Sequence, residues 1–229
     1  MTDQPTHPIL AYPEEARIAY ISLLGELCYV DRQFDEHERK LLDEQMEKLE
    51  ISDQGKARVY AAVYDLRDSH REVIIAGIKA LSDSDLRFTL IADLFIMALA
   101  NDYISVEEQD YVFTVGRQLH VEDEQIKAIK QVQFSLWQLR NTPSDSDSFK
   151  KLVKECAGNL AGAGVPIAAI AASGSVFGLS AAGITSGLAA LGALVGGGML
   201  AGTVLVVPAI AAGSIWGVKK LVDLVVKTD

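Results

Sequence analysis

The chain has 229 residues with 31 acidic side chains, 21 basic side chains and two cysteines. A net charge of −10 argues against general binding to nucleic-acid phosphates, and two widely separated cysteines cannot form a disulfide framework. The run from Cys156 to Val218 has 63 residues without Asp, Glu, Lys or Arg and holds 14 of the 18 glycines. This division into an acidic part and an uncharged part argues against an ordinary soluble enzyme.

The acidic part, residues 1–140, reads as one all-α domain. No basic, apolar leader opens the chain, so we expect this domain in the cytoplasm. Pro13 suits the first position of a helix, and apolar residues then recur at helical spacing up to about residue 140. After the first helix, further helices are predicted at about 36–49, 54–66, 70–80, 85–100, 106–119 and 122–139.

The domain also repeats itself at an offset of 70 residues. Each copy has a helix, an acidic loop, a second helix and a Leu-x-Ile/Val ending, at residues 49–51 and 119–121. The corresponding pairs include Leu24 and Leu94, Leu27 and Met97, Glu38 and Glu108, and Leu42 and Val112. Since two copies are visible, the pattern predicts an internal duplication within one helical bundle.

The two acidic loops have a structural and a chemical interpretation. Asp35 and Glu38, like Ser105 and Glu108, stand three residues apart before a helix, which is the spacing of a capping box. The alternative is a binding site for a divalent cation such as calcium, with Asp31, Asp35 and Glu38 as ligands in the first loop. Glu108 is the corresponding candidate ligand in the second loop. Neither loop has the glycine and final glutamate positions of an EF-hand.

These loops carry a resemblance to a known family. Residues 29–38 (Tyr-Val-Asp-Arg-Gln-Phe-Asp-Glu-His-Glu) and 100–108 (Ala-Asn-Asp-Tyr-Ile-Ser-Val-Glu-Glu) resemble the acidic loops of TerB-like domains, which are associated with tellurite resistance. The resemblance covers about residues 11–139. It implies a duplicated all-α domain, acidic loops suspected of contacting metal, and no established catalytic activity. Arg32 stands where the family has glycine in its Ala-Asp-Gly pattern.

No enzymatic constellation accompanies these loops. The four histidines lack the His-Glu-x-x-His or Cys-x-x-Cys partners of a zinc site. The glycine-rich residues 196–202 lack the Lys-Ser/Thr that completes a phosphate loop. We therefore expect no catalytic residues and no cofactor beyond a cation such as calcium.

The uncharged run, residues 156–218, is long enough to cross a bilayer twice, since one crossing needs about 20 residues. A linker with a basic lead-in, residues 141–155, precedes it, and a short basic tail, residues 219–229, follows. A turn at residues 196–198 would separate crossings at about 160–195 and 199–218. Lysines flank both ends, which predicts an inner-membrane hairpin with the N-terminal domain and the C-terminus in the cytoplasm.

Glycines four residues apart recur along this run and predict closely packed helices, within one chain or between copies. The packing positions are Gly174, Gly178, Gly183, Gly187, Gly192, Gly196, Gly198 and Gly202.

The sequence thus predicts a non-enzymatic, membrane-tethered TerB-like module. It would bind a protein partner or a divalent cation in envelope stress response or defence, with membrane lipid as a second partner and no nucleic acid. One alternative is a pore-forming effector whose glycine-zipper hairpin is controlled by the helical domain. Another is a soluble, cytoplasmic metal-binding protein. The hairpin could instead fold back on the helical domain in a soluble state and insert on a signal.

Overall fold

The computed structural model describes residues 7–30, 36–64, 84–99, 102–139, 143, 146–174, 187 and 190–192. These residues form helices and no strand, which confirms the predicted all-α class. A 3-10 helix, Pro8–Ala11, precedes the α-helices. The α-helices are α1 (Glu14–Tyr29), α2 (Glu36–Lys48), α3 (Asp53–Tyr64), α4 (Leu86–Ala98), α5 (Val106–Gln118), α6 (Asp123–Gln138), α7 (Asp147–Gly162) and α8 (Ile167–Ala171). The helix predicted at about 70–80 lies outside the described residues.

The helix boundaries confirm the duplication. Shifting α2 by 70 residues gives the bounds of α5, and the same shift takes the start of α3 to the start of α6. Each Leu-x-Ile/Val ending is a Schellman turn, in which Ile51 N–H donates to Met46 O and Val121 N–H donates to Gly116 O, both over 2.9 Å. The repeat therefore extends to the backbone hydrogen bonds that end the second helix of each copy.

The central helices are α1 and α4, which pack against each other and against the helices of their own repeats. Twelve of the 13 residues of α4 are buried, so this helix has no solvent face. Gly25 brings α1 close to α3, because a Cβ atom added there would lie 2.5 Å from Cγ2 of Val63. The core of both repeats is therefore continuous.

The first part of the uncharged run belongs to this same core. Helix α7 runs antiparallel to α6: the Cys156 thiol meets the Ser135 hydroxyl, and Gly164 lies beside Gln125. After α7 the chain turns into α8, which packs against α4. Leu160 and Ile170 are fully buried. No helix within the described ranges combines the length and apolar character that a membrane span requires.

Candidate functional site

The candidate cation ligands fall mostly outside the described residues. Asp31 and Asp35 lie there, and so does the side chain of Glu38, whose backbone belongs to α2. Glu108 is described, and its Oε2 accepts hydrogen bonds from Ser105 N (2.7 Å) and Ser105 Oγ (2.8 Å). Ser105 Oγ in turn accepts from Glu108 N–H, which confirms the capping box of the second loop. Across the described part of the chain, no group of three or more His, Cys, Asp or Glu side chains could hold a metal ion.

Three of the eight predicted packing glycines are described, and two of them contact the bundle. A Cβ atom added to Gly187 would lie 2.5 Å from Cδ2 of Leu136 on α6. The N–H of Gly174 reaches a side chain of α4, and Gly192 is buried. Gly178, Gly183, Gly196, Gly198 and Gly202 lie outside the described residues, so packing of the tail helices on one another stays a prediction.

The most concentrated polar site is a buried cluster around Asp93, which the sequence analysis did not single out. Asp93 lies on α4 and is fully buried. Its Oδ2 accepts from the Tyr20 hydroxyl over 2.5 Å and lies 3.2 Å from Nε2 of His7. Its Oδ1 accepts from Gly174 N–H over 2.6 Å. One carboxyl group thus joins the N-terminal segment, α1, α4 and the uncharged run.

The hydrogen bonds of His7 fix its orientation. Its Nδ1 accepts from Ile9 N–H over 3.2 Å, so Nε2 is the nitrogen that donates to Asp93. The imidazole lies edge-on to Tyr20, with ring centroids 5.3 Å apart. His7 is therefore an internal structural group, since only 4% of it is exposed.

Tyr20 acts as a permanent donor in this cluster. Burial, reinforced by the nearby Asp93 carboxyl, raises the pKa of the Tyr20 hydroxyl well above its ordinary value. The hydroxyl consequently keeps its proton at neutral pH and continues to donate to Asp93.

Three side chains of the bundle hold the segment that ends α8, and we call Thr89, Asp93 and Gln133 the tail seat. Thr89 Oγ1 donates to Ala169 O over 2.9 Å, and Gln133 Nε2 lies 3.4 Å from Ser173 Oγ. The third contact is that of Asp93 with Gly174, whose φ of +75° suits glycine. The uncharged run is thus joined to α4 and α6 by hydrogen bonds as well as by apolar packing.

A sequence signal for this site existed. Asp93 is the single charged residue between Phe88 and Ala100, and the helix around it has no polar face. A charged side chain on such a helix needs buried partners, because an unpaired buried charge is strongly destabilising. The partners themselves, at residues 7, 20 and 174, follow no sequence spacing.

Comparison with known proteins supports the resemblance drawn from the loops. Residues 17–131 match the family described as Tellurite resistance protein TerB. The match covers 115 of the 229 residues and includes Tyr20, Thr89 and Asp93. No curated protein and no solved structure matches the chain.

Proposed function

The chain belongs to the TerB family of tellurite resistance proteins, and we propose that it is a non-enzymatic binding module that its uncharged run ties to the inner membrane. The acidic bundle receives a protein partner or a divalent cation in envelope stress response or defence. The uncharged run associates with lipid and with further copies of the chain.

The proposal rests on the 63-residue uncharged run with lysines at both ends, and the tail seat sets a condition on it. The two-crossing hairpin uses residues 160–195 and 199–218, whereas the structure has Leu160, Gly174, Gly187 and Leu191 in contact with the bundle or buried in its core. The same residues cannot do both. Insertion of the first crossing therefore requires its release from the tail seat, and the tether is conditional.

Polar contacts decide the balance between these two forms. Leu160, Ile170 and Leu191 are fully buried on the bundle, and a bilayer interior would remove the same apolar surface from water. The hydrogen bonds to Thr89 and Asp93 are available in the seated form alone, at about 1 kcal/mol each. A signal that breaks them shifts the chain towards the membrane.

Fractionation of the full chain tests the conditional tether. We expect wild-type protein to be partly retained in carbonate-washed membranes, and Asp93→Asn to be retained several-fold more. Asp85→Asn is the matched control, because Asp85 immediately precedes α4 and makes no capping hydrogen bond. Recovery of wild-type protein and Asp93→Asn entirely in the supernatant contradicts the tether, and equal retention of both contradicts the seat as its control.

The pore-forming effector is the second candidate, and the tail seat also favours it, since control of a hairpin by the bundle needs such a contact. Induced expression of an effector should collapse the membrane potential. The glycine test belongs at Gly183 and Gly198, because Gly187→Leu would collide with Leu136 on the bundle. An unchanged potential during wild-type expression removes this candidate.

Calorimetry of the full chain with calcium tests the cation. Truncation before α7 is unsuitable, because α7 and α8 complete the core. A site in the first loop predicts heat that Asp31→Ala with Glu38→Ala abolishes. Glu108→Ala, which removes the capping box of the second loop, should leave that heat unchanged. Titrations of wild-type protein without heat contradict the cation site.

A further inference from the structure

The charge of the chain reverses along its length. Residues 1–124 hold 26 acidic and 12 basic side chains, whereas residues 125–229 hold five acidic and nine basic ones. The reversal falls within the first turn of α6. The antiparallel pair α6 and α7 holds five basic and four acidic side chains, so it is nearly neutral where the rest of the bundle is acidic.

The outer face of α7 carries the exposed basic residues. The inner face packs into the core through residues that include Phe149, Val153 and Leu160. Lys150, Lys151 and Lys154 are exposed on the opposite side. Lys151 lies 4.0 Å from Glu155, and within the described ranges Lys150 and Lys154 make no ion pair.

An exposed aromatic pair lies on the neighbouring helix. Phe134 is 44% exposed and stacks on Trp137, with ring centroids 5.7 Å apart and ring planes 20° apart. Phe134 has no polar atom to place in water, and aromatic rings are enriched where proteins meet the bilayer interface.

The antiparallel register brings the two features to one end of the bundle. Ser135 meets Cys156 and Gln125 lies beside Gly164, so Trp137 is level with about Lys154. The uncharged run passes the same place, since Gly187 lies against Leu136.

We infer that this end of the bundle, defined by Phe134, Trp137, Lys150, Lys151 and Lys154, is a docking face for a bilayer rich in anionic phospholipid. The inference rests on the proposed tether and names its lipid and orientation. The lysine ammonium groups meet lipid phosphates, and the aromatic rings enter the interface. The acidic residues of the first repeat are repelled by the same surface, which orients the bundle with this end towards the membrane.

Vesicle binding by the full chain tests this face. A Trp216→Phe background leaves Trp137 as the single tryptophan. With phosphatidylglycerol-containing vesicles we expect flotation, a blue shift of Trp137 emission and quenching by brominated lipid. With phosphatidylcholine vesicles we expect binding at least tenfold weaker. Added salt should weaken the anionic binding, because it screens exposed charges.

Charge-matched variants locate the binding. Lys150→Ala with Lys154→Ala should weaken binding to anionic vesicles by about ten- to thirtyfold. Lys40→Ala with Lys127→Ala removes the same charge from exposed positions on α2 and the start of α6, and should change binding less than twofold. Equal loss in both double variants overturns the docking face.

The remaining outcomes separate this inference from the tether. Equal binding to neutral and anionic vesicles, or Trp137 emission unmoved by bound vesicles, overturns the docking face even where membranes retain the chain. If the chain is not retained by cell membranes but still binds anionic vesicles as described, the tether is overturned and the docking face is supported. Lysine-dependent dimerisation without lipid would make a second copy the occupant and overturn the inference.

Discussion

The two repeats share a backbone and differ in what they bury. Their second helices have the same length at the 70-residue offset, and both repeats end in the same turn. At equivalent positions, however, the first repeat has Leu23 where the second has Asp93, and Tyr20 where the second has Leu90. The two repeats share their apolar positions and differ at single buried positions that are polar in one copy.

Those polar positions join the repeats to the segments that flank them. Tyr20 from the first repeat and Asp93 from the second meet, and together with His7 and Gly174 they connect the N-terminal segment to the uncharged run. Tyr111 of the second repeat likewise lies 2.9 Å from Oε2 of Glu26 in the first. The residues at which the two repeats differ thus hold the flanking segments to the bundle and the two repeats to each other.

Replacing Asp93 by leucine, the residue at the equivalent position of the first repeat, should have the largest effect on the free energy of unfolding. Asp93→Leu copies Leu23, but it leaves three donors, on His7, Tyr20 and Gly174, without their buried acceptor. We expect a loss of about 3–5 kcal/mol in the free energy of unfolding, measured by urea denaturation. Asp110→Leu, an exposed change on α5, should alter it by about 0.5 kcal/mol or less. A loss below about 1 kcal/mol for Asp93→Leu would mean that the cluster does not hold the fold.

Replacing a buried polar residue that has no hydrogen-bond partner should instead increase the free energy of unfolding. Gln45 is fully buried where the second repeat has Val115, and both its amide atoms lack a hydrogen-bond partner among the described residues. Gln45→Met keeps the length of the side chain and removes the unsatisfied groups, so we expect stabilisation by about 1–2 kcal/mol. Gln133→Met is the matched control, since it also loses the contact with Ser173 and should gain less. A lower free energy of unfolding for Gln45→Met would contradict the expectation that the buried Gln45 amide destabilises the fold.

Tyr20→Phe removes the hydroxyl and keeps the aromatic ring, so it measures the contribution of the hydroxyl to stability. We expect a loss of about 1 kcal/mol near pH 7. Because the pKa of Tyr20 is raised on folding, its contribution is fully present below its ordinary pKa of about 10 and is lost as the pH rises above that value. Wild-type protein should therefore lose stability more steeply than Tyr20→Phe from about pH 10 upwards. The same steepness in both proteins would show that Tyr20 does not titrate with folding; Tyr103→Phe, at an exposed ring, serves as control.

The helices and the duplication could be predicted from the sequence because both produce periodic residue patterns. Helical spacing and the 70-residue offset predicted α2, α5 and their turns, and the Ser105 and Glu108 spacing predicted a capping box that the structure contains. These are local features, in which the interacting residues lie within a few positions of each other. The first acidic loop resembles them, but it lies outside the described residues and stays a prediction.

The tail seat was beyond prediction because its contacts are long-range. Asp93 reaches residues separated from it by 86, 73 and 81 positions, and no spacing rule relates them. The length, flanking lysines and glycine spacing of the uncharged run favoured a membrane interpretation. Apolar residues that pack on a bundle and those that face lipid have the same composition, so these signals could not separate the two. What the structure adds is that Leu160 and Ile170 of this run are core residues.

The smallest effects concern the shared turns and test how equivalent the repeats are. Glu50 and His120 both adopt left-handed backbone conformations, with φ of 51° and 57°, at the residue where glycine is favoured. Glu50→Gly and His120→Gly should each stabilise the chain by about 0.5–1 kcal/mol, measured by urea denaturation, because glycine carries no Cβ penalty there. Gly164→Ala is the converse control: its φ is +71° and its Cβ would have room, so the expected loss of about 1 kcal/mol is a backbone effect. Opposite signs at Glu50 and His120 would show that the two turns, alike in geometry, are not alike in energy.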